Sequence, residues 1–157
     1  YVVNGQEVGS EKYAYKLEGL ARVRDILAAE LPRHPLYAVV GDFNIAPDDR
    51  DVHDPALWHE RILASTPERE ALGALLDLGL QDAFRLFEQP EQSYSWWDYR
   101  AGAFRRRRGL RIDLVLLSEA LAGHCTACRI DEGPRRLERP SDHAPVVAEL
   151  AVDAVAP

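Results

Sequence analysis

Three short polar clusters interrupt apolar stretches of the sequence and contain the side chains best suited to chemistry. In the first, Asp42 and Asn44 follow an apolar run and lie two positions apart, so on an extended backbone both side chains point the same way. A carboxylate beside an amide can hold a water or a metal ion and donate a hydrogen bond to a developing oxyanion. An ordinary turn after a strand explains this cluster equally well.

The other two clusters are centred on Asp113 and on the adjacent pair Asp142 and His143. Burial of the Asp113 carboxylate inside Ile-Asp-Leu-Val-Leu-Leu is costly unless a partner compensates its charge. Neighbours in a strand face opposite sides, so Asp142 and His143 need separate partners. Pairing His143 with Asp113 orients the imidazole and leaves Asp142 to bind a cation. An ion pair of Asp113 with an arginine and a turn at Asp142 are the alternatives.

The bulk composition allows such a site. The 157 residues fit one domain, residues 1–157 with no internal boundary, and 46% hydrophobic residues are enough for a buried core. A net charge of −7 argues against a generic basic nucleic-acid binder. It does not exclude a nuclease, because a metal-dependent site needs carboxylates and local basic patches can hold phosphate.

The sequence indicates neither a membrane nor export. The apolar runs are far too short to cross a bilayer, and no basic segment followed by an apolar stretch opens the chain. Two cysteines suit a reducing compartment, so we expect a cytoplasmic location. The chain starts at Tyr1 and contains no methionine, and we therefore expect a processed product or a fragment of a longer protein.

Helices and strands interleave in the predicted secondary structure, which favours an α/β or α+β fold with helices packed on sheets. Apolar spacing predicts a helix over residues 10–31, and Ser-Thr-Pro-Glu at 65–68 begins a second helix that ends near Gly79. Strands are predicted at 36–40, 94–97, 111–117, 125–130 and 145–152, and a loop at 48–58.

Six motifs, three of which contain these clusters, follow one another in a recognisable order. They are Gly-Asp-Phe-Asn-Ile-Ala-Pro at 41–47, Thr-Pro-Glu-Arg-Glu at 66–70, Asp-Ala-Phe-Arg at 82–85, Tyr-Ser-Trp-Trp-Asp-Tyr-Arg at 94–100, Arg-Gly-Leu-Arg-Ile-Asp-Leu-Val-Leu-Leu-Ser at 108–118 and Ser-Asp-His-Ala-Pro at 141–145. The set resembles the exodeoxyribonuclease III family of abasic-site endonucleases and exonucleases, within the endonuclease/exonuclease/phosphatase superfamily. The likeness extends from Tyr1 to about Leu150, and the motif at 94–100 is not expected in the related phosphatases and sphingomyelinases.

The resemblance implies a layered α/β sandwich, with two sheets packed face to face and helices outside. It also implies that this chain supplies the C-terminal part of such a nuclease domain. The family's N-terminal half, with a Gln-Glu motif whose glutamate binds the metal, is missing from the chain, and we expect that half to be needed to complete the site.

By the same resemblance, five residues would carry the reaction. Asp42 would activate the attacking water or protonate the leaving group, and Asn44 would steady the transition state. Asp113 would orient His143, which would contact the scissile phosphate. Asp142 would bind the catalytic magnesium ion, with manganese as an alternative, and Asp42, Asn44 and His143 would lie close enough to serve a second metal position.

Substrate-binding residues are implied as well. Tyr1 matches the family's phosphate-contacting tyrosine and would be a sixth catalytic residue. Trp96, Leu110 and Ile112 match the apolar pocket that accepts a sugar without its base. Such a sugar swings out of the duplex at low cost, and a small apolar cavity rejects an intact nucleotide. Arg108 ends a run of four arginines that we expect to contact phosphate, and a solvated loop is the alternative.

Neighbouring aromatic residues and departures from the family pattern bear on these assignments. Trp96 and Trp97 face opposite ways if their segment is extended, so one of them is expected in the core. The family usually has Ser or Thr at Ala83, Lys or His at Leu86 and Asn at Arg107. The last departure lies within the arginine run and bears on the geometry of that loop.

These assignments predict a magnesium-dependent DNA-repair phosphodiesterase that is a monomer in its complete form. It would cut duplex DNA 5′ to an abasic site and trim it from 3′ ends, and the isolated chain would be nearly inactive. One alternative is a catalytically dead DNA-binding or partner-binding fragment, which the missing glutamate favours. Another is a superfamily phosphatase acting on small phosphoesters, which the motif at 94–100 argues against.

Overall fold

The computed structural model describes residues 1–151, and within them the chain forms four α-helices and five strands. The helices are α1 (Glu11–Glu30), α2 (Pro55–Trp58), α3 (Thr66–Leu76) and α4 (Glu119–Ala122). The strands are β1 (Ala38–Asp42), β2 (Leu80–Asp82), β3 (Asp113–Ser118), β4 (Cys125–Ile130) and β5 (Val146–Leu150). Short 3-10 turns occupy Asp49–Asp51, Ala83–Leu86, Arg100–Gly102 and Gly133–Arg136.

A serine side chain lies at the start of each long helix, and the cap at Ser65 was predicted. The Ser10 side chain accepts a hydrogen bond from the Tyr13 amide at the start of α1. The Glu68 carboxylate accepts from the Ser65 amide at 3.2 Å and from its hydroxyl at 2.6 Å at the start of α3. α1 matches its prediction to within one residue at each end, whereas α3 ends at Leu76, short of Gly79.

Both sheets are antiparallel. β1 and β2 flank β3 in the order β1-β3-β2, and β4 and β5 form a separate two-stranded sheet. Asp42 at the end of β1 is the direct partner of Asp113 at the start of β3. The register of the first sheet therefore brings together two polar clusters that are far apart in sequence.

β3 lies between two hydrophobic cores because its side chains alternate between the faces of the sheet. Leu114 and Leu116 join residues of α1 and α3 in one core. Val115 and Leu117 join residues of α4, β4 and β5 in the other. The long helices, the first sheet and the second sheet are thus stacked as layers, and the predicted mixed α/β class is confirmed.

The segment 94–97 is not the regular strand that was predicted. The Trp96 amide donates to the Leu110 carbonyl at 2.9 Å, whereas the Trp97 amide donates to the Asp142 carbonyl at 3.0 Å. Only isolated bridges form, because each neighbouring segment pairs with this one over a residue or two. The segment instead links the stretch before β3 to the stretch before β5.

Other boundaries differ less. β3 begins at Asp113 and not at Arg111, because the Arg111 amide donates to the Asp51 carbonyl outside the sheet. The predicted loop at 48–58 contains a 3-10 turn and α2, and the three-residue β2 was not predicted. Val152, at the end of the predicted last strand, lies outside the described residues. No helix within residues 1–151 has the length and apolar character needed to cross a membrane.

Arg111 is a fully buried charge that joins three segments. Its guanidinium lies 2.6 Å from the Asp51 carboxylate and 2.7 Å from the Asp82 carboxylate. It also stacks on Phe84, with its central carbon 4.9 Å from the ring centroid. Arg85 pairs with Asp51 from a second side. This network fixes the loop after β1 and the segment before β3 against β2.

Replacing Arg111 with methionine is expected to lower the free energy of unfolding by about 3–5 kcal/mol, because removal of one partner leaves buried carboxylates uncompensated. Urea unfolding followed by circular dichroism measures the change. Arg22→Ala is the control, since Arg22 and Glu18 form an exposed pair, and loss of such a pair costs about 1 kcal/mol or less. Equal losses would show that the buried network stabilises no more than a surface pair does.

Candidate active site

The end of β1 positions Asp42 and Asn44 against each other. The Asn44 backbone amide donates to Asp42 Oδ1 at 2.8 Å, and the Asn44 side-chain amide donates to Asp42 Oδ2 at 2.9 Å. Asn44 has a φ of 50°, in the left-handed region that asparagine tolerates better than most residues. The contact predicted from an extended backbone is therefore made by a turn.

Both hydrogens of the Asn44 side-chain amide are in use. One is donated to Asp42 and the other to the Val2 carbonyl, at 2.9 Å each. In this arrangement Asn44 fixes the Asp42 carboxylate. The sequence predicts that Asn44 donates a hydrogen bond to a developing oxyanion. To do so, its side-chain amide must first give up the bond to Asp42 or the bond to Val2.

His143 lies beside Asp113, with Nδ1 2.8 Å from the carboxylate oxygen Oδ2. Ser95 supports both residues, because its hydroxyl accepts from the Asp113 amide at 3.1 Å and its carbonyl accepts from the Ala144 amide at 2.7 Å. Asp113 thus pairs with His143 and not with an arginine, which was the alternative considered from the sequence. The buried Arg111 pairs with Asp51 and Asp82 instead.

Asp42, Asp113 and His143 form one compact group. Their ligand atoms all lie within 4.8 Å of one another, so the group could hold a metal ion. They line a groove of about 400 Å³ that also borders Gly41 and Pro145. Three predicted site residues from three distant parts of the sequence are brought to this groove by the register of β1 and β3 and by the stretch before β5.

Burial and neighbouring charges shift two of these groups. Burial raises the pKa of the Asp42 carboxyl, and the Asp113 charge raises it further, whereas the hydrogen bond from the Asn44 amide opposes the shift. The hydrogen bond to Asp113 raises the pKa of His143, with burial acting against it. Asp42 is thereby drawn toward the range in which a carboxyl can exchange protons, and the imidazolium form of His143 is favoured.

Asp142 lies at the edge of this group. Its Oδ2 accepts a hydrogen bond from the Trp96 indole nitrogen at 3.0 Å, and among the described residues the compact group does not include it. Its charge still acts on His143, where it contributes to the raised pKa. Of the predicted metal ligands, Asp42 and His143 are therefore together, with Asn44 in contact with Asp42 and Asp142 on the Trp96 side.

The two tryptophans divide as predicted, because Trp97 is fully buried and Trp96 is half-buried. Leu110 and Ile112, at 0% and 1% exposure, lie in the core against which Trp96 packs. Here they support the indole and do not face solvent, and their contact with a sugar stays a prediction. Tyr1 is 86% exposed next to β1, where the Val2 amide donates to the Asp42 carbonyl.

The arginine run 105–108 presents Arg108 to solvent, whereas Arg107 is half-buried. Arg107 has a φ of 55°, which explains why an asparagine suits this position. Its guanidinium is held 2.6 Å from the Glu132 carboxylate and donates to the Gln92 carbonyl at 2.6 Å. These contacts keep the loop in a turn despite the departure from the family pattern.

Sequence reasoning missed two buried residues beside the site, Lys16 and Glu68. They form an ion pair, and the Lys16 ammonium donates to the Asn44 carbonyl at 2.7 Å. A signal was present, because Lys16 falls between Tyr13 and Leu20 at the three- and four-residue spacing of the apolar face of α1. A charge at such a position indicates a buried partner.

The sequence pattern of the Endonuclease/Exonuclease/phosphatase family matches residues 3–143, which contain Asp42, Asn44, Asp113, Asp142 and His143. The chain belongs to the endonuclease/exonuclease/phosphatase family. This family member is 36% identical to exodeoxyribonuclease III of Haemophilus influenzae over 158 residues, which covers 96% of this chain and 59% of that relative. Almost the whole of this chain is thus matched, but it spans only about 59% of the length of that relative.

Solved structures give the same picture. A 3′ phosphatase from Neisseria, NExo, bound to a product DNA hairpin, superposes on this family member with a TM-score of 0.94 at 45% identity, covering 97% of this chain and 59% of that one. An AP endonuclease from Archaeoglobus fulgidus superposes with a TM-score of 0.91 at 37% identity, covering 97% and 60%. The layered fold expected from the motifs is therefore confirmed.

Asp113→Asn is expected to lower the pKa of His143, because the Asp113 hydrogen bond is the largest cause of the raised pKa and burial acts against it. NMR titration of the imidazole protons measures this. The stabilisation from the pair is full below the pKa of an unfolded histidine and is lost as the pH rises through the raised pKa. Asp142→Asn is the control and should lower the pKa less. An unchanged pKa in Asp113→Asn would contradict the pairing.

Proposed function

We propose that this chain is the catalytic part of a metal-dependent DNA-repair nuclease. In the complete protein it hydrolyses phosphodiester bonds of duplex DNA, 5′ to abasic sites and at 3′ ends. The observation that carries the proposal is the convergence of Asp42, Asp113 and His143 within 4.8 Å. The names of the relatives, exodeoxyribonuclease III and AP endonuclease, support DNA as the substrate.

In the proposed mechanism, Asp42 takes a proton from the attacking water or returns one to the leaving oxygen. Burial raises its pKa, which makes both transfers more favourable than for an exposed carboxylate. Asn44 keeps the Asp42 carboxylate in one orientation. Asp113 holds His143 Nδ1, so Nε2 and the positive charge of the imidazolium are available to a phosphate oxygen. No covalent intermediate is required.

Magnesium is the proposed cofactor, with manganese as an alternative. Asp142 is the proposed ligand of the catalytic ion, and Asp42, Asn44 and His143, the last only in its neutral form, are proposed for a second metal position; most of these groups are the oxygen donors that magnesium prefers. The close approach of the Asp42 and Asp113 carboxylates fits a cation, since two like charges so placed repel unless a positive charge lies near them. A bound divalent ion neutralises phosphate charge and stabilises the leaving oxygen.

Trp96 and the exposed arginines form the proposed DNA surface. Trp96 lies next to Asp142 and rests on Leu110, so a sugar stacked on the indole would be close to the reacting groups. Arg108 is exposed on the same loop region and suits contact with a phosphate, as does Tyr1 beside β1. These contacts orient the duplex, and Leu110 with Ile112, buried behind the indole, hold Trp96 in place for the abasic sugar.

Removal of a 3′ phosphate from DNA is a second candidate reaction. NExo of Neisseria, a 3′ phosphatase, is 45% identical over 97% of this chain. The same groups would serve both reactions, because each is the attack of water on a phosphorus atom. Which substrate is preferred depends on how the surface around Trp96 admits the DNA end or the abasic sugar.

We also propose that the 157 residues alone are nearly inactive and that the complete protein works as a cytoplasmic monomer. The relatives extend well beyond the matched region, since this chain covers 59% of exodeoxyribonuclease III from Haemophilus influenzae. Magnesium binds weakly where few carboxylates are offered, so a further acidic ligand from the remaining part would be needed. Supplying that part as a separate polypeptide should restore cleavage.

The protein expressed from its complete reading frame is expected to nick a duplex with one abasic site when magnesium is present. Asp42→Asn should lower that rate by about 10²–10⁴-fold without loss of DNA binding, because Asp42 is used in proton transfer. Gel assays compare the abasic duplex, a 3′-phosphate duplex and an inositol phosphate. Turnover of the inositol phosphate without DNA cleavage would establish a small-molecule phosphatase, and near-normal nicking by Asp42→Asn would refute its role.

Trp96→Ala should reduce incision at abasic sites more than trimming of ordinary 3′ ends, because only incision needs the extruded sugar to be held. The two rates are measured on matched duplexes at saturating enzyme. Trp58→Ala is the control, since Trp58 lies on α2 and packs on the same core as Trp96 without contacting Asp142. It should not change the ratio of the two rates. Equal losses of both activities in Trp96→Ala would show that the indole is only a packing residue.

A further inference from the structure

Lys16 is a lysine whose side chain is entirely buried, on the inner face of α1. An ammonium has three N–H donors, and all three have acceptors. Lys16 Nζ donates to the Asn44 carbonyl at 2.7 Å, to the Asn4 carbonyl at 3.1 Å and to the Glu68 carboxylate. The acceptors belong to three separate segments, which are the first residues of the chain, the turn after β1 and the start of α3.

The Asn44 carbonyl is part of a turn that needs support. Asn44 has a φ of 50° and is 6% exposed, so its backbone is in a less favoured conformation and its carbonyl has little access to water. The same residue directs its side-chain amide at the Asp42 carboxylate. Lys16 therefore binds the backbone of the residue that orients the proposed proton-transfer group.

The approach of Lys16 to this turn depends on close packing. A Cβ atom at Gly5 would lie 3.1 Å from Lys16 Cδ, so the aliphatic part of the lysine passes directly beneath the Gly5 backbone. Glu68 in turn accepts hydrogen bonds from the Leu63 and Ser65 amides at 3.1 and 3.2 Å. The Lys16 side chain is thus held in one position, because its aliphatic part packs on Gly5 and its ammonium pairs with a carboxylate that is itself fixed.

Stability alone does not account for such a pair. A buried lysine and glutamate can often be replaced by apolar side chains of similar size without loss of stability, because removing the pair also removes the cost of burying two charges. That replacement would leave the Asn44 carbonyl buried without a donor, and the turn would have to move to regain one. Lys16 is therefore suited to fixing the turn, whereas Glu68 also holds the start of α3 through the Leu63 and Ser65 amides.

We infer that Lys16 is a positioning residue for the reaction, which acts by holding Asn44 in the left-handed turn that aims its amide at Asp42. The inference rests on the proposed function of Asp42. Glu68 belongs to the same device, because it compensates the buried charge of Lys16.

The double variant Lys16→Met, Glu68→Met tests this in the protein expressed from its complete reading frame. Its melting temperature is expected to fall, because the Leu63 and Ser65 amides lose Glu68 as their acceptor and the Asn44 carbonyl loses Lys16 as its donor, so the loss of kcat is compared with that of a variant destabilised elsewhere. On an abasic duplex, kcat is expected to fall by about 10- to 100-fold, since a small misplacement of a catalytic group has effects of that size. KM should change little, because DNA contacts are untouched.

Leu27→Ala is the matched control. It removes a buried side chain from the same helix, about three turns from Lys16, and should lower the melting temperature while leaving kcat unchanged. An unaltered kcat in a folded double-methionine variant would overturn the inference. A loss of kcat that only follows the loss of stability, as in a generally destabilised protein, would overturn it as well. If the double variant does not fold, Lys16→Gln decides in its place, since glutamine keeps a donor for Glu68 but is too short to reach the Asn44 carbonyl as well.

A double-mutant cycle separates an effect through Asn44 from any other. In an Asn44→Ala background, the two methionine substitutions should cause no further loss of kcat. Additive losses would mean that Lys16 acts elsewhere. NMR gives a second readout, with Asn44 itself left unchanged. The side-chain amide protons of Asn44 should be protected from exchange in the wild type and should lose this protection in the double-methionine variant. This readout decides the inference even if the wild-type protein cleaves no DNA, an outcome that would refute only the proposed function.

Discussion

In the antiparallel ladder between β1 and β3, Asp42 and Asp113 are direct partners, so two carboxylates face each other at one end of the sheet. Like charges directly opposite each other in a ladder are destabilising. The neighbouring residues compensate this repulsion. His143 binds Asp113, the Asn44 amides bind Asp42, and the Lys16 ammonium lies behind the turn. The site is therefore built from the interactions that make one unfavourable pairing tolerable.

The segment 94–97 holds the two sides of the site together. The Ser95 hydroxyl accepts from the amides of Ile112 and Asp113, and its carbonyl accepts from the Ala144 amide. One fully buried serine thereby sets the distance between the start of β3 and the stretch that carries His143. The motif at 94–100, whose aromatic residues belong to the proposed DNA surface, is thus equally a structural link between the proposed catalytic groups.

Sequence patterns predicted the parts of this fold that depend on local chemistry. Apolar spacing predicted α1, the Ser-Thr-Pro-Glu sequence at 65–68 predicted the start of α3, and β4 has the limits of a predicted strand. The pairing of His143 with Asp113 followed from the geometry of neighbours in a strand. The roles of these residues came from resemblance to a family, because spacing alone left a turn or an ion pair open.

What could not be predicted depends on contacts between distant segments. No local signal marks the three residues of β2, which exist as a strand only because β3 lies beside them. The backbone amides of Trp96 and Trp97 donate to different segments, Trp96 to Leu110 and Trp97 to Asp142. The apolar run that predicted a strand therefore connects two segments and does not form a regular strand. The carbonyl of the turn at Asn44 likewise accepts a hydrogen bond from Lys16, which lies 28 positions earlier in the chain.

The hydrogen bond from the Trp96 indole to Asp142 puts a fluorophore in contact with a carboxylate that is a proposed ligand of the cation. Indole emission responds to the charge at the ring nitrogen, and that charge changes when a divalent ion shares the carboxylate. Trp97 is shielded in the core, and Trp58 lies on α2, where its indole nitrogen donates to His53. The protein therefore has an intrinsic optical reporter at the edge of its site, and occupancy of that site can be followed in ultraviolet light without a label.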